Sequence, residues 1–379
     1  MKQADFYASA NLQPFRRDLS DGVRYAQQRD ALLRHLGIVP AFLRGRNILE
    51  FGPGHGENAR CLLTYGPARL VLVEIAEECV EVARSLLAPL TPPGCSVEVI
   101  QGRCEDFPPH EGFDLVVFEG VIPFEPDPVA LLRQAALHVA PGGVLSVTCI
   151  DTVSLFAEVL RRLVANLAAP PGGSLDERAD ALLPVFSPHL ATLAGMTRSH
   201  RHWVIDQMIH PWSGTPLSIR DAARALADGF DLHGTSPRFL ADWRWFRNIH
   251  GDPDYVALAE SQYLGNLHNL LDHRLSFAPR DAESNRCLLD ECSAVFDATR
   301  RFEASQNPAI LETALTSVAA ISTQAATFSA DIAGALDDFL AAVERHRHDG
   351  TFGDFGRFAA MFGRGQQYAS FIRRSAPWT

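Results

Sequence analysis

Short apolar runs alternate along this chain with stretches whose apolar positions recur at helical spacing. Ile48-Leu49-Glu50-Phe51, Leu70–Val73, Val97–Ile100, Phe113–Glu119 and Val144–Ile150 are the runs. Their length and the turn residues around them predict buried strands. Between them, Glu57–Leu63 reads as a helix start. Asp127-Pro128 supplies an N-cap acid with proline at the first helical position, opening a helix with Leu131, Leu132, Ala135, Ala136 and Val139 on one face. Ser20–Leu36 reads as a leading helix, with Val23, Ala26, Leu33 and Leu36 on one side. Strands alternating with helices predict a parallel sheet with right-handed crossovers.

Beyond the fifth run the pattern changes. Leu155–Leu167 is helical, Pro170-Pro171-Gly172-Gly173 breaks it, and a stretch rich in His, Trp and Pro follows. Ser218-Ile219-Arg220-Asp221 reads as a capping box with Asp in place of the usual Glu or Gln. Ala222–Ala227 continues that helix. Phe230–Gly234 and Phe239–Ile249 are then expected as the last two strands. Residues 151–216 become an insertion above the carboxyl edge of the sheet, where ligands bind, and so a substrate lid. From Asp252 onward only helices are expected. Leu264, Leu267 and Leu271 share a face, as do Leu311, Leu315 and Val318 after Asn307-Pro308, and Ile332, Leu336, Phe339 and Val343. The expected division is 1–250 and a helical domain at 251–379, which packs on the sheet or makes a homodimer.

Composition narrows the function. The chain has 379 residues, 47% of them hydrophobic, and a net charge of -11. That suffices for about two domains. An acidic chain without a Lys/Arg run is not expected to bind nucleic acid. Lysine is almost absent. No apolar run is long enough to cross a membrane and the first residues carry no apolar signal segment, so a cytoplasmic protein without a membrane partner is expected. Seven cysteines, an odd number without a C-x-x-C pair, indicate neither a disulfide framework nor a zinc knuckle, nor iron–sulfur chemistry.

The first run opens into a turn with glycine at Gly52, Gly54 and Gly56. Glycine lets a ligand lie against the backbone and permits positive φ. Strand, glycine turn and helix N-terminus together make a nucleotide-type cofactor site. The dinucleotide fingerprint G-x-G-x-x-G is not met, because its last glycine falls on Glu57. The acid Glu50 also lies outside that pattern. Glu74 closes the second strand roughly 20 residues after the turn, where a carboxylate can accept from two vicinal ribose hydroxyls.

The E-x-G-x-G-x-G form, with these elements in this order, resembles the class I S-adenosylmethionine-dependent methyltransferases over residues 47–150, and less specifically to about 249. The resemblance implies a doubly wound, mostly parallel, seven-stranded α/β sheet with S-adenosyl-L-methionine as cofactor. Cofactor contacts would come from Glu50, the backbone at Gly52, Gly54 and Gly56, Glu74 on the ribose, Ile75 and the Cys104-Glu105 loop at the adenine, and Glu119 and Gly120 by the methionine moiety. Arg103 stands where family members often carry an aspartate, which leaves Glu105 or Asp106 as substitutes. The leading segment of such proteins commonly folds over the cofactor. Tyr7, Arg16, Arg17, Tyr25 and Arg29 are the residues there that could reach it, or they are solvated helix residues.

The acceptor is less well written. Many small-molecule O-methyltransferases of this shape carry Glu-His before the Pro-Asp-Pro end of the fourth crossover; here Pro123-Phe124 replaces that histidine. Glu119 and Glu125 remain, and two carboxylates beside the methyl would favour a cationic amine or guanidinium and accept its proton. The plainer reading makes Glu125 a solvent-facing acid and Glu119 a cofactor contact. His202, His210 and Tyr368 are the alternative bases, delivered by the lid and the Gly363–Tyr368 loop. His200, His202 and His210 lack the companion residues of a zinc site, so no metal is expected. Trp203, Trp212, Trp243 and Trp245 read as packing residues, or as an aromatic wall for the acceptor.

The expected function is methyl transfer to a small polar metabolite with Glu119, Glu125 and His210 as catalytic candidates. An amine or guanidine nitrogen is slightly preferred. The alternatives are O-methylation of a sugar or carboxylate, and a cofactor-binding scaffold without turnover.

Overall fold

The computed structural model describes residues 21–108, 112–194, 196, 198–250 and 254–375. Tyr7, Arg16 and Arg17 lie outside them. The chain forms two compact units. One takes in the described residues up to Ile150 with Trp212–Gln262 and those from Gln366 onward; the other is Asp151–Pro211 with Tyr263–Gly365.

The first unit is built on α1 (Gly22–His35), β1 (Asn47–Phe51), α2 (Glu57–Thr64), β2 (Arg69–Glu74), α3 (Glu77–Leu87), β3 (Ser96–Gln101), β4 (Phe113–Phe118), α4 (Pro128–Ala136), β5 (Val139–Cys149), α7 (Ile219–Leu226), β6 (Phe230–Ser236) and β7 (Gln367–Arg373). The strand order is β3-β2-β1-β4-β5-β7-β6. The first five strands are parallel, and β7 runs antiparallel between β5 and β6. Because β1, β2 and β4 are covered on both faces, they read as unbroken apolar runs. Ile48, Leu70, Leu72, Leu115 and Val117 pack with Leu33, Leu36, Leu62 and Leu87 on one side. Leu49, Phe51, Val71, Val116 and Phe118 are equally buried. Asp127 caps α4 as expected, its carboxylate accepting from the Ala130 N–H at 2.9 Å. Ser218 caps α7, but Asp221 bonds the Ser218 hydroxyl, at 2.6 Å, and completes no capping box. Aspartate is one methylene shorter than the usual glutamate. Pro141-Gly142-Gly143 lies inside β5, where the register with β4 shifts between Phe113 and Leu115.

The last strand is a correction. Phe239–Ile249 forms no strand; only Phe246–Asn248 is regular, as one 3₁₀ turn. The seventh strand is β7, with Leu145 opposite Phe371 and Leu232 opposite the same residue on the other side. A strand held between two partners needs little length or hydrophobicity of its own. β7 accordingly carries Gln367 and Ser370 fully buried beside Ala369 and Phe371. The expected division at residue 250 is therefore replaced by one in which the helical segment precedes the final strand, and the expectation of helices alone after Asp252 fails at Gln367.

In the second unit α5 (Phe156–Ala168) is followed by α6 (Leu175–Leu190), and further on come α9 (Ala282–Ser305), α10 (Pro308–Ala325) and α11 (Ala330–Asp349); α8 (Tyr255–Asn266) spans the boundary between the units. Asn307 caps α10 at the expected place, and Ile332, Leu336, Phe339 and Val343 of α11 are all buried. α5 is buried all round and carries two arginines with no exposed surface. Arg161 donates to the carbonyls of Phe358, Ala359 and Met361 and lies 3.7 Å from the ring centre of Phe362. Burial lowers its pKa to about 10. Arg162 is bidentate to Glu303 at 2.8 Å and donates to the carbonyls of Gln207 and His210.

Gly234 tests the packing of α1 on β6. A Cβ there would stand 2.5 Å from the Leu36 carbonyl carbon, whereas at Gly229 nothing lies within 4 Å. Backbone cannot swing aside as a side chain can. Gly234→Ala should lower the unfolding free energy by about 1–3 kcal/mol. Gly229→Ala should be neutral or gain up to about 1 kcal/mol. Urea unfolding of the two variants is the check; equal midpoints would contradict the close approach.

Candidate active site

Register brings the expected cofactor residues to one edge of the first unit. Phe51 stands opposite Val73 and Phe118, and Glu74 stands opposite Gln101. The residues that follow these ends, from Gly52, Ile75, Gly102 and Glu119, therefore share the carboxyl edge of the sheet, where open α/β sheets bind ligands.

The turn after β1 has positive φ at Gly52 (65°), Gly54 (56°) and Gly56 (87°). The three glycines are not equivalent. A Cβ on Gly52 would meet the Val121 side chain at 2.7 Å and one on Gly56 would meet Ala83 at 3.3 Å, while one on Gly54 would meet nothing within 4 Å. Gly54 thus faces open space that a side chain would fill, which is the shape a bound cofactor needs. Gly56 is the N-cap of α2.

Glu74 is buried and fixes this turn. One carboxylate oxygen accepts from the Gly54 N–H at 2.9 Å and the other from the Ala76 N–H at 3.0 Å. Burial raises its pKa above the ordinary carboxylate value, with the bonds from Ala76 and Gly54 pulling the other way. A carboxylate offers about four lone-pair sites, so acceptor capacity remains for two hydroxyls. Cys104 is buried, and burial pushes its thiol pKa up; Glu105 beside it is exposed. Glu50, at 1% exposure, is among the most buried acids.

At the end of β4 the geometry exceeds what the sequence suggested. Arg29 of α1 is bidentate to Glu119, at 2.7 and 3.0 Å. Both side chains are almost wholly buried. Burial alone would lower the Arg29 pKa, but the charge of Glu119 and the bonds to it hold it above the ordinary guanidinium value. Asn58, on the first turn of α2, donates to Glu119 at 3.3 Å and accepts from the Tyr25 hydroxyl. Tyr25 and Arg29 are therefore not solvated helix residues. Asn58 went unnoticed in the sequence, although a polar residue inside the first turn after the glycines was a usable signal. The Gly120 N–H donates to the Thr148 hydroxyl at 3.0 Å, and a Cβ on Gly120 would stand 3.9 Å from the amide nitrogen of Gln366, just before β7.

The loop that follows holds a strained residue. Phe124 has φ of 72°, a left-handed conformation that costs a non-glycine residue about 1–3 kcal/mol. It is pinned by the segment after Pro211. The Phe124 N–H donates to Thr215, the Gly214 N–H donates to Phe124 at 2.9 Å, and the Trp212 ring stacks on Phe124 with centroids 5.1 Å apart. A Cβ on Gly214 would fall 1.8 Å from the Glu125 carbonyl oxygen, so only glycine fits.

His210 belongs to the second unit. It is buried, and burial draws its pKa down to about 4, against the opposing charge of Asp206. The imidazole is therefore neutral at pH 7. His200 faces Ser187 at 3.2 Å. Among the described residues no group of three or more His, Cys, Asp or Glu is placed to hold a metal ion. Trp203 and Trp212 are buried as expected of packing residues; Trp243 and Trp245 are exposed.

A family profile described as a methyltransferase domain matches residues 48–143. A trans-aconitate 2-methyltransferase from Azoarcus sp. (strain BH72) is 27% identical over 243 residues, 64% of this chain and 82% of that protein. A ubiquinone biosynthesis O-methyltransferase from Neisseria meningitidis serogroup C (strain 053442) is 29% identical over 153 residues, 40% of this chain and 56% of the relative. A solved S-adenosylmethionine dependent methyltransferase from Mesorhizobium loti is 16% identical with a TM-score of 0.35, covering 57% of this chain and 86% of that one. With residues 48–143 matching a methyltransferase domain that carries the glycine turn, and with the sheet in this order, the chain contains a class I S-adenosylmethionine-dependent methyltransferase domain, of the kind that takes its methyl group from S-adenosylmethionine.

Proposed function

We propose that this enzyme methylates an oxygen atom of a small polar metabolite. The observation that carries the reading is the Arg29–Glu119 pair. A free buried carboxylate beside the methyl would draw a cationic amine. Here that carboxylate already has a guanidinium in bidentate contact and the pair carries no net charge. A cationic acceptor gains nothing from it, so the earlier preference for an amine or guanidine gives way to oxygen. The relatives agree in kind: one is named an O-methyltransferase and another for trans-aconitate.

When bound, S-adenosylmethionine supplies a methyl group already activated on a sulfonium, and what the chain must add is alignment and exclusion of water. In this reading Gly52 and Gly54 offer backbone to the cofactor, and Glu74 accepts from the ribose hydroxyls. Ile75, Cys104 and Glu105 border the adenine. Glu50, Glu119 and Gly120 border the methionine end, with Arg29 fixing Glu119. Phe124 and Trp212 line the approach of the acceptor. A carboxylate acceptor needs no base. For a hydroxyl, Glu125 is the group of this unit that could take the proton.

The cofactor assignment has a direct test. Glu74→Ala should weaken S-adenosylmethionine binding in calorimetry by about 1.5–3 kcal/mol, the worth of a hydrogen bond to a charged group. Affinity of the unaltered enzyme should also fall as pH drops through the raised Glu74 pKa, since protonation removes an acceptor. Glu74→Gln should show no such fall. Unchanged affinity in Glu74→Ala would place the ribose elsewhere.

The buried pair has its own. Arg29→Met strands a buried carboxylate, a loss of about 3–5 kcal/mol. Adding Glu119→Gln should return part of the thermal stability. A double variant no more stable than the single one would mean that Glu119 does not depend on Arg29.

The acceptor is tested with methyl-labelled cofactor and a panel of hydroxy acids, carboxylates, sugars and amines. Label should enter an oxygen product, base-labile if an ester and base-stable if an ether. Incorporation into amines alone would defeat the oxygen reading while leaving the methyltransferase assignment intact.

A further inference from the structure

A second surface of the first unit stands apart from the cofactor edge. Between β6 and α8, residues 238–250 run Arg-Phe-Leu-Ala-Asp-Trp-Arg-Trp-Phe-Arg-Asn-Ile-His. Trp243 is 92% exposed, Phe246 69% and Trp245 58%. Large aromatic residues are rarely left in water side by side, and such patches mark contact sites. Trp245 and Phe246 meet edge to face with centroids 5.9 Å apart. The Arg247 guanidinium lies over both rings, 5.1 Å from Trp245 and 5.7 Å from Phe246. Arg244 is held by Asp242 at 2.6 Å. Asp254, just beyond, is engaged with its own helix and accepts from the Ala257 N–H.

Composition and charge together bear on what covers this loop. The aromatic residues are interleaved with arginines, so no continuous apolar face exists. Protein interfaces also take arginine among aromatic rings, so the charge of the stretch is what decides. The headgroup region of a bilayer suits an aromatic ring beside an arginine, the ring at the acyl boundary and the guanidinium at the phosphates. The local charge is also inverted. Three arginines (Arg238, Arg244, Arg247) stand against one aspartate (Asp242) in this stretch, in a chain of net charge -11. An anionic surface would repel most of this molecule and attract this loop.

We propose that the 238–250 loop docks the enzyme on an anionic lipid bilayer, with Trp243, Trp245 and Phe246 entering the headgroup layer and Arg247 meeting lipid phosphate. The contact is peripheral: among the described residues no helix is long and apolar enough to cross a membrane. The expectation of no membrane partner came from the absence of such a span and does not bear on a surface loop. The proposal does not depend on which atom is methylated.

Co-sedimentation of the full chain with phosphatidylglycerol–phosphatidylcholine vesicles is the test. The unaltered protein should pellet with them, less as salt rises, and weakly with phosphatidylcholine alone. The triple variant W243A/W245A/F246A should lose about tenfold or more in partitioning. It should keep its thermal midpoint and its S-adenosylmethionine affinity, because the three side chains pack against little. Arg247→Gln should reduce the preference for anionic vesicles. Three results would overturn the proposal. These are an unaltered protein that stays in the supernatant, a triple variant that pellets equally well, and an unaltered dimer that the triple variant splits without any vesicle binding, which would make the loop a contact between two copies.

Discussion

Glu119 cannot stand charged and buried at the end of β4 unless a cation stands with it. Taking a carboxylate out of water costs several kcal/mol even after relaxation. Arg29 supplies the cation and does so from α1, 90 residues earlier in the chain. Much of the candidate site hangs on this one pair. It fixes the face that α1 turns to the sheet, since Tyr25, one helical turn before Arg29, then reaches Asn58. It ties α1 to the first turn of α2, and so to the glycine turn. It also converts what would be an attractive site for a cation into a neutral one. The same contact therefore shapes the fold of the leading helix and, on the proposed reading, the choice of acceptor.

What the sequence disclosed of the fold follows from how each element is stabilised. β1, β2 and β4 are covered on both faces, so their burial is written as apolar runs. The glycine turn is written too, because three positive φ angles in five residues demand glycine. β7 was not legible. Its stability comes from two flanking strands, and Gln367 and Ser370 break its apolar pattern while remaining buried. The residues at 239–249 misled for the opposite reason. Alternating Trp243 and Trp245 imitate a strand, yet no partner edge is offered to them. In the site, Glu74 could be placed by spacing from the turn. The pairing of Glu119 could not, because neither periodicity nor spacing relates residue 29 to residue 119.

The second unit shows a related limit. In the sequence Arg161-Arg162 is only a pair of arginines, with nothing around it to show where it lies. Both are fully buried, and each acts as a multiple donor: Arg161 gathers three carbonyls of the segment before Phe362, and Arg162 bridges Glu303 with two carbonyls near His210. Arginine suits this because its planar fork offers five donors in fixed directions. Carbonyls at the end of the 3₁₀ turn Gly356–Ala360, at Met361 and around His210 are thus satisfied by side chains from one helix. The unit is assembled from two separate stretches of chain, and these arginines join them. Hydrophobic periodicity revealed the helices but carries no record of such polar joints.

The loop after Glu119 turns this rigidity toward chemistry. Phe124 occupies a left-handed conformation that a non-glycine residue leaves readily unless it is held, and it is held from three sides by Thr215, Gly214 and Trp212. A strained residue so constrained has little freedom to adapt to different acceptors. Its ring and the backbone of Glu125 present one shape rather than several. On the proposed reading, selectivity rests less on charge, which Arg29 neutralises, than on the fit of an acceptor against a fixed aromatic wall. Aromatic faces contribute through area and geometry and are weakly sensitive to ionic strength. The position where many relatives in shape carry a histidine has become a shape-determining one. The proton of a hydroxyl acceptor must accordingly leave through a group outside this loop's ring pair, or the acceptor must arrive without one.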